Sequence, residues 1–342
     1  MNKTRVRSYI INLALVILTF VLFQVLFATG ALTSERMFTT LCINVMLAVS
    51  LNMVCGYMGQ LALGHAGFMA VGAYTGGIFL KSTPVDELLK AGNTAGCLPY
   101  IVAALLLSGI MAGIFGLIIG IPALRLKGDY LAIITLGFGE IIRVVLTNID
   151  SVLGFKFTYG AAGLKRIPKI SSFTLVFLCV ALTCLIIHMV MKSRHGRAIL
   201  SIRENEIAAE SCGVNTTYYK VMAFVLSAFF AGIAGCLYAG YLGSLYPSTF
   251  KFMKSIEILV MVVLGGMGSM LGSVLSATVL TILPELLRSV ADYRMVAYSL
   301  LLVLMMIFRP KGLMGTYDFS LSRILEKLMN GGTRTGKEGA QK

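Results

Sequence analysis

The sequence predicts an all-α integral membrane protein, a polytopic helical bundle of about eight to ten transmembrane segments. Three observations carry this. Charged residues make up 13% of the chain, about half the share usual in soluble domains. Apolar runs recur at 9–27, 38–55, 61–80, 98–117, 130–146, 173–191, 221–242, 256–287 and 295–308. Most are long enough to cross a hydrocarbon core of ~30 Å. None alternates polar and apolar residues as a strand would, so helices are what can satisfy the backbone in lipid.

The first run, 9–27, follows a basic start and is too long for a signal core, so it is expected to stay as a span. Basic residues then set the orientation. Lys3, Arg5 and Arg7 put the N-terminus in the cytoplasm, and the crossings bring Arg125 and Lys127 to the same side. Lys192, Arg194, Arg197 and Arg203 return there, as does the tail with Arg309, Lys311, Arg323 and Lys327. Lys156, Lys165, Arg166 and Lys169 alone go against the rule. The net charge of +14 is thereby read as loop bias against a membrane, not as a nucleic-acid footprint. Residues 1–320 are expected to form one transmembrane domain with a cytoplasmic loop at 192–220. A Gly/Lys-rich tail, 321–342, is expected to be partly disordered.

The run 256–287 is too long for one ordinary span and short for two. Parity requires an even number of crossings, so it is two short spans or a re-entrant pair, broken at GGMGSMLG. Gly56-x-Met58-Gly59 resembles Gly265-x-Met267-Gly268. Paired interrupted segments of this kind mark the central pathway in inverted-repeat transporters, which makes Gly59, Gln60, His65, Gly265, Gly266 and Gly268 candidate pathway residues. Helix packing, with His65 in an interhelical hydrogen bond, is the alternative for the first group. Asp129 reads as an N-cap. Glu140 and Arg143, three apart on one helical face, can pair near the outer end of their helix.

Between two apolar runs, 192–220 carries both charge signs, which fits a surface for another protein. Glu204 to Cys212 reads as a short helix closed by Gly213 in a left-handed C′ position, with Asn215, Thr216 and Thr217 offering caps for the next. The chain shows no P-loop, HExxH or GxSxG and no Cys/His metal spacing. Its seven cysteines form no CxxC pair, and the three histidines are scattered. No catalytic, cofactor or metal site is therefore expected, and any ATP must be bound by a partner.

Several long segments resemble the permease subunits of branched-chain amino acid ABC importers, the LivM type in particular. They are GYMGQLALGHAGF (56–68), RLKGDYLAIITLGFGEIIR (125–143), GRAILSIRENEIAAESCGVNTTYYKVMAFVLSAFFAGIAGCLYA (196–239), SIEILVMVVLGGMGSMLGSVLSA (255–277) and FRPKGLMG (308–315), in the family's order. The resemblance implies a subunit of the bacterial inner membrane. Its partners would be a second permease subunit, two ATP-binding subunits and an extracytoplasmic binding protein delivering leucine, isoleucine or valine. It also implies a coupling helix from Arg203 to Gly213, carried on Arg203, Glu204, Asn205, Glu206, Ala208, Ala209 and Gly213. Two other readings stay open: a related permease for urea, amides or another amino acid, and an ion-coupled secondary transporter.

Overall fold

A computed structural model describes residues 35–90, 94–126, 128–154 and 158–286, with 299, 303, 308 and 312. The run 9–27, most of 295–308 and the tail 321–342 lie outside the described residues, as do the first basic cluster and the last. Residues Arg36–Thr316 form one compact unit. Its long helices are α1 (Glu35–Asn52), α2 (His65–Ser82), α4 (Thr94–Ala123), α5 (Asp129–Leu153), α6 (Phe173–Lys192) and α9 (Thr216–Leu242). Shorter ones are α3 (Val85–Lys90), α7 (Arg194–Glu204), α8 (Glu206–Ser211), α10 (Phe252–Gly265) and α11 (Met270–Leu286). Two two-residue strands, β1 (Leu164–Lys165) and β2 (Ser244–Leu245), pair antiparallel.

Among the described residues, five helices are long and apolar enough to cross a membrane: Glu35–Tyr57, Gly96–Ala123, Asp129–Ser151, Phe173–Lys192 and Thr216–Leu242. The protein is an all-α, multi-pass membrane protein. α4, α5 and α6 show lipid-type faces, with Ile118, Ile133 and Leu178 each 60% exposed or more. α1 and α2 are instead almost wholly enclosed, with Met46, Leu47, Met69 and Ala73 at zero exposure.

Small residues bring the helices together. A side chain on Gly72 of α2 would strike the backbone of Gly232 on α9, and one on Gly232 would come within 2.5 Å of Ala112 Cβ on α4. Hydrophobic drive between helices is absent in lipid, so close backbone approach and polar cross-links supply the association. Ser50 on α1 supplies the cross-links. Its hydroxyl donates to the Leu47 carbonyl at 2.9 Å and lies 2.9 Å from His65 Nε2, while its carbonyl accepts from Ser227 of α9 at 2.7 Å. The Ser50 hydroxyl and His65 Nε2 thus share one buried hydrogen bond between α1 and α2.

The run 256–287 resolves into a hairpin. α10 and α11 pack antiparallel, with Ser276 of α11 donating to the Met261 carbonyl of α10, and they break where Gly266 and Gly268 take positive φ of 105° and 91°. At about 1.5 Å per residue, their 14 and 17 residues make a pair of short helices, not one long helix.

Three sequence expectations are corrected. Asp129 is the first helical residue, and Gly128, at φ 60°, holds the N-cap position. A carboxylate in the first turn still complements the helix dipole. Glu140 and Arg143 do pair, at 2.6 Å, but they sit at the middle of Asp129–Leu153 and not near its outer end. The second Glu140 oxygen accepts the Phe252 amide at 3.0 Å, capping the start of α10. The segment from Arg203 to Gly213 is not one helix. Asn205, extended at φ −158°, divides it into the end of α7 and all of α8.

Candidate functional site

The polar insert begins at Ser193, whose side chain accepts the His195 and Gly196 amides and so starts α7. α7 buries Gly196, Ile199 and Ile202 along one stripe. Asn205 ends it and restarts the chain, its side chain accepting the Ala208 amide at 3.1 Å to open α8. α8 closes at Gly213 with φ 81°, as its sequence position requires. Asn215 then caps α9 by accepting the Tyr218 amide at 3.1 Å.

The residues assigned to coupling separate by direction. Glu204, Asn205, Ala208 and Gly213 are exposed, whereas Ala209 is buried. Glu206 turns back to α9, where its carboxylate meets the Lys220 ammonium at 2.7 Å. The Lys220 side chain is only 4% exposed, so its charge depends on this partner. Removing one member of a buried pair costs about 3–5 kcal/mol when the charge left behind stays buried. Glu206→Ala leaves the Lys220 ammonium in that state, whereas Lys220→Met leaves a Glu206 carboxylate that is 27% exposed and open to water. Glu206→Ala is therefore expected to lower the thermal unfolding midpoint of the detergent-solubilised protein clearly more than Lys220→Met does. Equal shifts in the two melting curves would contradict that order. With α8 tied down in this way, Ile207 is left 75% exposed on a short charged helix. Sequence reasoning passed over Ile207, although an Ile between Glu206 and Ala208 in a polar insert is a usable signal.

Arg203 points the other way. Its Nη1 donates to the Gly56 carbonyl at 2.8 Å, at the end of the π-helical turn Met53–Tyr57 that finishes α1. The two glycine breaks noted in the sequence therefore meet at the same end of the bundle as α7. Asn52, fully buried, joins them: its Oδ1 accepts the Gly268 amide at 2.9 Å and its Nδ2 donates to the Ser269 carbonyl at 3.1 Å. Asn52 was also missed, though an Asn inside an apolar run is costly unless it has partners. Gly312, from the last shared motif, packs so closely on Gly265 and Gly266 that a side chain there would strike their backbone.

The candidate pathway residues also divide. Gly265 and Gly266 are buried, Gly268 is half-buried and Gly59 exposed. His65 is 2% exposed and turned into the helix packing toward Ser50, not into an opening. Gln60, whose amide bonds back to the Val54 carbonyl at 3.2 Å, keeps a buried side-chain oxygen without a hydrogen-bond partner among the described residues. Among the described residues no group of His, Cys, Asp or Glu could hold a metal ion.

A family model described as the branched-chain amino acid transport system / permease component matches residues 33–309. The chain belongs to this family of transport permeases. It is 36% identical over 330 residues to the high-affinity branched-chain amino acid transport system permease protein LivM of Escherichia coli K12, covering 86% of this chain and 72% of that one. It is 24% identical over 291 residues to LivH of the same strain, covering 79% and 90%. It is also 29% identical over 226 residues to the autoinducer 2 import system permease protein LsrC of Salmonella typhi, covering 62% and 60%. No solved structure matches the chain. Membership of a family of transport permeases removes the reading as an ion-coupled secondary transporter.

Proposed function

We propose that this chain is one of two unlike membrane subunits of an ATP-driven importer of branched-chain amino acids. Two ATP-binding subunits supply the energy, and an extracytoplasmic binding protein delivers leucine, isoleucine or valine. The observation that carries the docking assignment is α8: a six-residue helix pinned to the bundle by Glu206 and Lys220, with Ile207 projecting from it. A rigid, exposed apolar side chain ringed by polar groups is the usual form of an interface anchor. Glu204, Asn205, Ala208 and Gly213 surround that anchor and form the rest of the surface for an ATP-binding subunit. ATP is bound there by the partner, and this chain catalyses no reaction of its own. The similarity of 36% to a LivM permease over most of the chain, against 29% over a shorter stretch to an autoinducer 2 permease, favours amino acids as the solute.

The surrounding membrane is the bacterial cytoplasmic one, with both termini, α7 and α8 on the cytoplasmic side. Gly59, Gln60, Gly265, Gly266 and Gly268 then lie at the cytoplasmic end of the pathway, where the chain breaks can open and close it. Broken helices are where transporter backbones carry unpaired groups next to a cavity, and the unpartnered Gln60 oxygen fits that position. Residues 1–320 supply the membrane domain and 321–342 a cytoplasmic tail.

The test is copurification with uptake. Ile207→Asp is expected to reduce the ATP-binding subunits retained by the tagged permease about tenfold or more, since loss of an interface anchor costs ~2 kcal/mol or more. Leucine uptake in cells falls with it, and Ile207→Leu keeps both. Full retention in Ile207→Asp would remove α8 as the docking element.

A further inference from the structure

The loop that faces the energy source and the glycine breaks that face the pathway are joined by one side chain. Arg203 lies in the last turn of α7, two residues before the break at Asn205. Its guanidinium donates to the Gly56 carbonyl at 2.8 Å. That carbonyl has no continuing helix to serve, because the amides of Met58 and Gln60 bond instead to Met53 and Val54. Orphaned carbonyls and the negative end of the dipole make a helix C-terminus a place for a cation.

The same side chain touches both breaks. Its Nη1 would be 2.6 Å from a Cβ on Gly268, and its Cγ 3.0 Å from a Cβ on Gly59. Both glycines have positive φ, 91° and 73°, so the breaks present bare backbone where the arginine passes. On the inner side Asn52 holds Gly268 and Ser269 to the end of α1. The second break is thus held to the end of α1 by Asn52, while Arg203 binds the first break at Gly56 from the loop side and lies against Gly268 of the second. Neighbouring Ile202 is buried, whereas Glu204 and Asn205 are exposed. Arg203 is therefore the point at which the insert turns from solvent into the bundle.

We propose that Arg203 is the positioning residue through which movement of the α7–α8 segment reaches the paired backbone breaks, and that it is not part of the surface holding the ATP-binding subunits. The inference rests on the ATP-driven importer reading above. A segment pushed by nucleotide-dependent closure of its partner moves the Arg203 guanidinium, and with it the Gly56 carbonyl and the turn at Gly268. A planar guanidinium can hold a carbonyl and pack on a second backbone at once, which an ammonium on a flexible stem does poorly.

The experiment uses the whole complex, with its ATP-binding subunits and binding protein, in proteoliposomes. Leucine transported per ATP hydrolysed is measured beside the amount of ATP-binding subunit retained. For Arg203→Met the ratio is expected to fall about tenfold with retention unchanged, a size typical of coupling between two sites. Arg203→Lys keeps the charge and one donor and is expected to fall by about threefold, so it serves where Arg203→Met does not accumulate. A merely structural role would lower the amount of complex and leave the ratio alone. A wild-type ratio in whichever variant accumulates overturns the proposal, and so does loss of the ATP-binding subunits from an Arg203 variant that accumulates normally. A wild-type chain that retains no ATP-binding subunit overturns the importer reading itself, and the inference with it.

Discussion

Leucine at Gly232 is expected to leave almost no folded protein in the membrane. The position faces two helices at once: a Cβ there comes within 2.5 Å of both Ala112 Cβ and the Ser108 carbonyl oxygen on α4, while Gly72 of α2 packs on the Gly232 backbone. The neighbours are backbone and the shortest of side chains, so nothing flexible can move aside. Overpacking a well-filled site costs about 1–3 kcal/mol when side chains can adjust, and here whole helices must part. Separation would also pull Ser227 away from the Ser50 carbonyl, breaking the polar link between α9 and α1. Membrane-fraction abundance and the thermal unfolding midpoint in detergent read the effect. Gly113 is the control, since a Cβ there meets nothing closer than 3.7 Å. Gly113→Ala should accumulate and melt like the parent chain, and equal damage at both positions would refute crowding as the cause.

How much of this was legible in the sequence depends on which physical signal a residue carries. Apolar runs placed α1, α4, α5, α6 and α9 because length and hydropathy alone decide a span. Residues Gly213 and Asn215 were legible because a left-handed C′ position and an N-cap each favour a short list of residue types. The division of the insert at Asn205 was not, although Asn is a good cap. With Arg203, Glu204, Glu206 and Ala208 around it, helix propensity runs straight through, and only the packing of Ile199 and Ile202 fixes where α7 must stop.

Direction was the larger loss. Arg203 and Glu206 sit among exposed residues of the same short segment, yet one reaches Gly56 and the other Lys220. A solvated cation and a cation inserted between two chain breaks look alike in one dimension. The similarity of Gly56-x-Met58-Gly59 to Gly265-x-Met267-Gly268 did point to both breaks, but it carried no statement that they touch. Asn52 is what makes them touch, and it lay unremarked inside an apolar run.

Asn52→Ala is accordingly expected to cost the transporter most of its activity while leaving the helices assembled. The substitution deletes two hydrogen bonds and leaves the part-buried Gly268 amide without its Asn52 partner, while the Ser269 carbonyl keeps its bonds from the Ser273 amide and hydroxyl. The unmet Gly268 amide costs roughly 1–3 kcal/mol by soluble-protein measure, and the lost bond to the Ser269 carbonyl is worth about 0.6–1.7 kcal/mol in a membrane. A total near 2–4 kcal/mol follows for the two, enough to lower leucine uptake by about tenfold or more if the breaks must move together. Gly56→Ala attacks the same contact from the opposite side, since its methyl group would land between Asn52 Oδ1 and the Gly268 amide. Residues acting on one contact are not additive. The double variant Asn52→Ala/Gly56→Ala is therefore expected to lose little more uptake than the worse single variant, because both substitutions break the one contact between Asn52 and Gly268, which can be lost only once. Uptake losses that multiply, measured at equal membrane abundance, would mean that Asn52 and Gly56 act through separate contacts and that the two breaks are not held as one unit.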